Sequence, residues 1–325
     1  DSATNWTMRS EISFVDKHLA FDRTEDRGMA KPQYPILFHA LQITANQGQN
    51  TWSDFLANTG LLLLSLSSLT AIFLILKNIA GPTTSLVSLT LMTSIPLLTL
   101  HLAQGYGDIT LILFEVLALL GTLSWKVSKD DRESRCWLIF ASLMIASGVW
   151  TKLEGMSLGL IPWVITTLLL TWLTQRAWKS LALPMSIALF LSLLWAIFAL
   201  SYGLSLTPHA GDASFAWHPE AFKEVLLGLF SRGSFGIHWY TVVSASVLIF
   251  WKDRFRAPSI FLLWGWIVFL EVIVIYTATP NVRFLLNAES FYRQAMLPLA
   301  LLTLMIPFCF RNAETEEKNL VTSRS

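Results

Sequence analysis

Six ionisable residues interrupt an otherwise apolar chain at points where chemistry is possible. They are Asp1 at the start, Asp108 at the end of His101-Leu-Ala-Gln-Gly-Tyr-Gly-Asp108, Lys152 and Glu154 on either side of Leu153, and Arg283 and Arg293 ahead of the last apolar run. A carboxylate can accept the proton of an attacking hydroxyl or amine, and lysine or arginine can neutralise an oxyanion as its charge develops. Two acids and several cations from separate segments suit a site that handles an anionic substrate and activates a nucleophile.

The elements that must bring these residues together are membrane helices. Of the 325 residues 54% are hydrophobic and 14% charged, against roughly 25% charged in a soluble domain. That leaves too little polar surface to cover a water-soluble fold of this length. The 21 Phe and 14 Trp exclude disorder, and a net charge of +1 without a basic patch disfavours nucleic-acid binding. Cys136 and Cys309 are too far apart in sequence to suggest a disulfide framework or a zinc site. Apolar runs of spanning length predict about nine transmembrane helices. They fall near 56–76, 83–101, 106–125, 136–151, 154–174, 180–202, 237–251, 258–277 and 294–310, and none has the alternating pattern of a barrel strand.

Basic residues collect on the cytoplasmic side of a membrane protein. Alternate loops carry Lys77; Lys126, Lys129, Arg132 and Arg135; Arg176 and Lys179; Lys252, Arg254 and Arg256; and then Arg311. This predicts that residues 1–55, 102–107, 151–154, 203–236 and 278–293 lie outside, and that 311–325 form a cytoplasmic tail. A chain that starts outside without an apolar signal core calls for a preceding helix, so one is expected before Asp1, making about ten in all. Residues 1–55 then form a first outer loop, and 56–310 the bundle. Within the loop, Met8, Ile12, Val15 and Leu19 recur at helical spacing, and Pro35 opens a second stretch, with Ile36, Leu37, Ala40 and Leu41, that Asn46 to Gly48 stop. Two interfacial helices are expected there. Another is expected from Pro219, with Phe222, Val225, Leu226, Leu229 and Phe230 on one face.

Five motifs lie in one order along the chain: Asp1-Ser-Ala-Thr-Asn-Trp6, Gln33-Tyr34-Pro35-Ile36-Leu37, Tyr106-Gly-Asp108, Thr151-Lys152-Leu-Glu154-Gly155 and Arg293-Gln-Ala-Met-Leu-Pro298. Together they resemble the polytopic GT-C glycosyltransferases, which include protein O-mannosyltransferases and the aminoarabinose transferase of lipid A. The resemblance implies an all-α GT-C-like bundle in a bacterial inner membrane that transfers a sugar from a polyprenyl-phosphate carrier to a glycolipid, glycan or protein acceptor, with its site facing outward. It implies catalytic roles for Asp1 and Asp108 and carrier-phosphate roles for Lys152 and Arg293. Glu154, Arg283, Tyr34 and His101 complete the expected substrate-binding set. A divalent metal bridging acid and phosphate is left open, since there is no Asp-x-Asp pair. Two departures stand out: a single acid where relatives show a pair in the first outer loop, and Glu154 beside Lys152, where an ion pair would compete with phosphate.

Plainer readings exist for the same residues. Asp108 could simply cap a helix, Lys152 and Arg293 could anchor at the membrane interface, and Tyr34-Pro35 has the composition of a turn. Glu115 and Glu271 fall within apolar runs, where a transporter's ion pathway would place acids. His209, Asp212, His218, Glu220 and His238 share one outer segment but match no compact zinc spacing. Gly155-x-x-x-Gly159 suits close helix packing, and Asn5-Trp6-Thr7 is a formal glycosylation sequon. A transporter of a small solute or lipid, or a structural subunit of an envelope assembly, are therefore the rivals to the enzyme.

Overall fold

The computed structural model describes residues 6–20, 34–102, 106–174, 178–204, 206, 214–232, 235–253, 257–286 and 289–322, with backbone alone at 252–253, 257–259, 286, 289 and 311–322. Every regular element among them is helical: α1 (Met8–Asp16), α2 (Leu37–Ala45), α3 (Asp54–Ala80), α4 (Pro82–Thr93), α5 (Pro96–Leu102), α6 (Gly107–Val127), α7 (Asp131–Thr151), α8 (Ile161–Thr174), α9 (Ala182–Ser201), α10 (Pro219–Leu227), α11 (His238–Asp253), α12 (Ala257–Thr277), α13 (Val282–Leu286) and α14 (Glu289–Thr322). Wide π-helical turns lead into α8 at Gly155–Leu160 and out of α10 at Gly228–Arg232.

Among the described residues seven helices are long and apolar enough to span a membrane, or eight if α4 and α5 count as one bent span. The expected run at 83–101 breaks because Pro96 disfavours helical geometry in the residue before it, and the chain turns by 83° there. At the bend Ser94 Oγ lies 2.9 Å from Leu91 O and 3.0 Å from His238 Nε2. The run at 237–251 forms α11, which is 16 residues long and shorter than those seven. The remaining expected runs lie within the long helices. Gly81, at a φ of 78°, ends α3, and Pro82 starts α4 in the first-turn position that tolerates a missing N–H. Helix α6 is the axis of the bundle, buried over nearly its whole length between α7, α3 and α14.

Both expected helices of the first segment form, but α1 is turned the other way round. Its buried side chains are Arg9, Ser10, Ser13 and Phe14, whereas Val15 and, just past the helix, Leu19 are exposed. The polar face is satisfied from within. Arg9 donates to the carbonyls of Ala20 (3.1 Å) and Tyr34 (2.6 Å), and Ser10 Oγ lies 2.6 Å from Gln42 Oε1 and 2.9 Å from His39 Nδ1 of α2. Burial and the nearby Arg9 hold the His39 imidazole well below its usual pKa, so it bonds as a neutral ring. Arg9→Leu strands two carbonyls, and should cost roughly 2–4 kcal/mol, read as faster amide exchange across α1 and α2 with the main bundle unchanged. In the third expected amphipathic helix, α10, Val225 faces inward, as does Leu229 in the turn that follows, while Phe222 and Leu226 are exposed.

Candidate functional site

Helix ends from opposite parts of the chain meet at one end of the bundle. Helix α7 stops at Thr151, and Lys152 takes extended geometry with φ −152° and ψ 143°. Side chains at positions i and i+2 of an extended segment share a side, which fits Lys152 and Glu154 pointing together while Leu153 packs among Trp6, Tyr34 and Phe38. The turn is tied at both ends: the Lys152 N–H donates to Gly148 O (3.1 Å), and the Gly155 N–H donates to Lys152 O (3.0 Å).

Asp108, in the first turn of α6, receives this lysine. Lys152 Nζ lies 2.6 Å from Asp108 Oδ1 and 3.2 Å from Glu154 Oε1, with all three side chains nearly enclosed. From α14, Arg293 brings Nη1 to 3.9 Å from Asp108 Oδ2, and Gln294 Nε2 donates to Glu154 Oε1 at 3.4 Å. Asp108 makes no capping hydrogen bond to its own helix, although its charge still complements the helix dipole. Burial alone disfavours the Lys152 ammonium, but Asp108 and then Glu154 outweigh it and hold the group above the ordinary lysine range. The lysine side of the pairing therefore stabilises the fold fully below the ordinary lysine value and is lost as pH climbs through the higher folded one, while on the acid side the pairing is lost once Asp108 is protonated.

Aromatic rings wall the cluster. Tyr34 stacks on Trp6 with centroids 5.1 Å apart, and His101 stacks on Tyr106 at 4.5 Å, with the Arg293 guanidinium 5.6 Å from the Tyr106 ring centre. Burial, then the negative charges of Glu154 and Asp108, push the Tyr34 phenol well above its usual pKa and keep it a neutral hydrogen-bonding group. Of the sequence-selected residues, Asp108, Lys152, Glu154, Arg293, Tyr34 and His101 thus share one region. Arg283, on α13, is exposed, with its guanidinium 4.7 Å from the ring centre of its neighbour Phe284. Asp1 lies outside the described residues.

Gln294, Tyr106 and Trp6 join the site without having been singled out, although each sits inside a motif already noted. Tyr276, on α12, acts electrostatically on Tyr34 and carried no sequence signal beyond its place at the end of an apolar run. Among the described residues no group of three or more His, Cys, Asp or Glu could hold a metal ion. Lys152 already supplies the positive charge between Asp108 and Glu154, so the described residues do not fit a bridging cation. Of the zinc candidates, His209 and Asp212 lie outside the described residues, His218 pairs with Glu220 at 3.3 Å, and His238 is bound at the α4–α5 bend. Neither Cys136 nor Cys309 forms a disulfide.

The described helices form an all-α polytopic fold with spans of membrane-crossing length. Two solved structures share it: ArnT from Cupriavidus metallidurans in the apo state, and the same protein bound to undecaprenyl phosphate. Each has a TM-score of 0.68 at 12% identity, and they cover 94% and 95% of this chain. The match takes in 54% and 55% of the ArnT chains, so this chain spans about half of their length. No protein-family model matches the sequence, and no curated protein does.

Proposed function

We propose that this chain is a membrane glycosyltransferase that moves a sugar from a polyprenyl-phosphate carrier to an acceptor at the outer face of the membrane, with inversion. The reading is carried by two cations, the buried Lys152 and the half-buried Arg293, converging on Asp108 in a fold shared with a protein whose solved structure is bound to undecaprenyl phosphate. A charged lysine and an arginine fork suit a phosphate oxyanion.

The acceptor oxygen or nitrogen forms a bond to the anomeric carbon while the bond from that carbon to the phosphate oxygen breaks on the opposite face. The bonding pair leaves with the phosphate, where Lys152 and Arg293 meet the growing charge. The acceptor's proton passes to a carboxylate, a role assigned to Asp1, because Asp108 Oδ1 is committed to Lys152. Asp108 serves the catalytic centre by aiming the ammonium. Glu154, held by Gln294, together with Tyr34 and His101, contacts the sugar and acceptor, and the exposed Arg283 makes an outer contact to the carrier.

The test uses the full-length protein in liposomes with polyprenyl-phosphate hexoses and pentoses. Asp108→Asn should lower transfer about a hundredfold, and Asp1→Asn should lower it at least as much; wild-type rates in both would refute the assignment. A transporter is the second reading, favoured by the broken α4–α5 helix and the acids within the bundle. Solute flux without any glycosyl transfer would establish it instead.

A further inference from the structure

We infer that Glu115 is a positioning residue for the site: a neutral acid whose carboxyl fills a niche between two glycines, and so fixes the turn carrying Lys152 and Glu154. Glu115 lies two turns along α6 from Asp108, about 10 Å deeper on the same face. It is fully buried, and neither carboxyl oxygen has a hydrogen-bond partner. Its surroundings explain the fit. A Cβ on Gly148 of α7 would stand 3.1 Å from Glu115 Oε1, and a Cβ on Gly159 of the π-helical turn would overlap that oxygen.

Those glycines also bracket the functional turn. Gly148 accepts the Lys152 N–H, and a Cβ on Gly155 would come within 2.6 Å of the Gly148 carbonyl. The Glu115 carboxyl, Gly148, Gly155 and Gly159 therefore form one column, with Lys152 and Glu154 at its top. A flat carboxyl slides between two glycine faces, a gap that a branched side chain would overfill. Glu271 of α12 is the ionisable group whose field reaches Glu115, and it carries the same sign. A charge placed here would have neither counter-ion nor hydrogen bond, whereas a neutral acid avoids that desolvation.

The proposal depends on the glycosyltransferase reading only for its activity arm. With full-length protein in liposomes, infrared spectroscopy should show the C=O stretch of a neutral carboxylic acid that Glu115→Gln removes and Glu271→Gln leaves. Removal of an ionised-carboxylate band by Glu115→Gln would overturn the proposal. The isosteric Glu115→Gln should keep sugar transfer within about twofold; an inactive but stable variant would mean that the group exchanges protons and does not merely position the turn. Gly159→Ala should lower transfer about a hundredfold by displacing the turn, and adding Glu115→Ala should restore most of that loss. A double variant no better than Gly159→Ala would overturn the wedge. Thermal midpoints should follow the same pattern of loss and rescue. Rescue of the midpoints in a protein that transfers no sugar would uphold the wedge and refute the functional reading.

Discussion

Lys152→Met should lower kcat/KM for sugar transfer by about a thousandfold, and should cost about 3–5 kcal/mol of stability. Methionine keeps the unbranched stem and removes the charge. On the proposed glycosyltransferase reading the activity loss follows because Lys152, the shortest cationic contact in the cluster, is the group assigned to neutralise the leaving phosphate. The stability loss has a separate origin: Asp108 and Glu154, both nearly enclosed, are left facing each other without the ammonium between them. Adding Asp108→Asn should therefore recover most of the stability without restoring sugar transfer. Recovery of stability without activity is the signature of a charge retained for function. Thermal unfolding and liposome transfer assays on the two variants separate the effects. Transfer unchanged in Lys152→Met would show that the carrier phosphate binds elsewhere.

Gly155→Ala should be nearly as damaging, although it adds a single methyl group. That carbon would stand 2.6 Å from both the C and the O of Gly148, and 2.8 Å from the Val149 nitrogen. These are backbone atoms, which cannot swing aside, so the end of α7 and the start of the π-helical turn must separate. The expected cost is about 3 kcal/mol, at the upper end of ordinary overpacking, with transfer falling about a hundredfold because Lys152 and Glu154 sit between the two strands being parted. Gly265→Ala is the control. Its added carbon would meet the Cγ and Cδ2 of Leu302 at 2.6 and 2.8 Å, mostly the movable end of a side chain, so a smaller drop in thermal midpoint is expected. Equal drops for the two variants would mean that the Gly148–Gly155 contact has no special rigidity.

Much of this arrangement was legible in the sequence because membrane topology is a strong constraint. Once the apolar runs and the basic loops are placed, Asp108, Lys152, Glu154 and Arg293 can only lie at helix ends on one face, and the structure brings all four within ion-pairing or hydrogen-bonding reach of the same cluster. What composition could not reveal was direction and depth. The run at 83–101 reads as one span, since hydropathy averages over Pro96 and conceals the bend. Periodicity finds the apolar stripe of α1 but not which medium it meets, and the interior there is polar. Gly155-x-x-x-Gly159 signals close packing, yet only three dimensions show that one glycine faces a backbone and the other a carboxyl from α6. Arg283 was chosen only as a basic residue of the last outer loop, and the structure leaves it exposed on α13 against the Phe284 ring.

The reversed polarity of α1 links this region to its surroundings. Arg9, Ser10 and Ser13 find hydrogen-bond partners inside the protein, whereas Val15 and Leu19 face outward and gain where hydrocarbon surrounds them. A helix built this way is favoured where hydrocarbon meets Val15 and Leu19. As detergent replaces bilayer, α1 and α2 should be the first cooperative unit to open, and because Tyr34 and Trp6 belong to that unit, one wall of the site would be lost before any spanning helix melts. Activity in this chain should then track the lipid around it more closely than its unfolding temperature does.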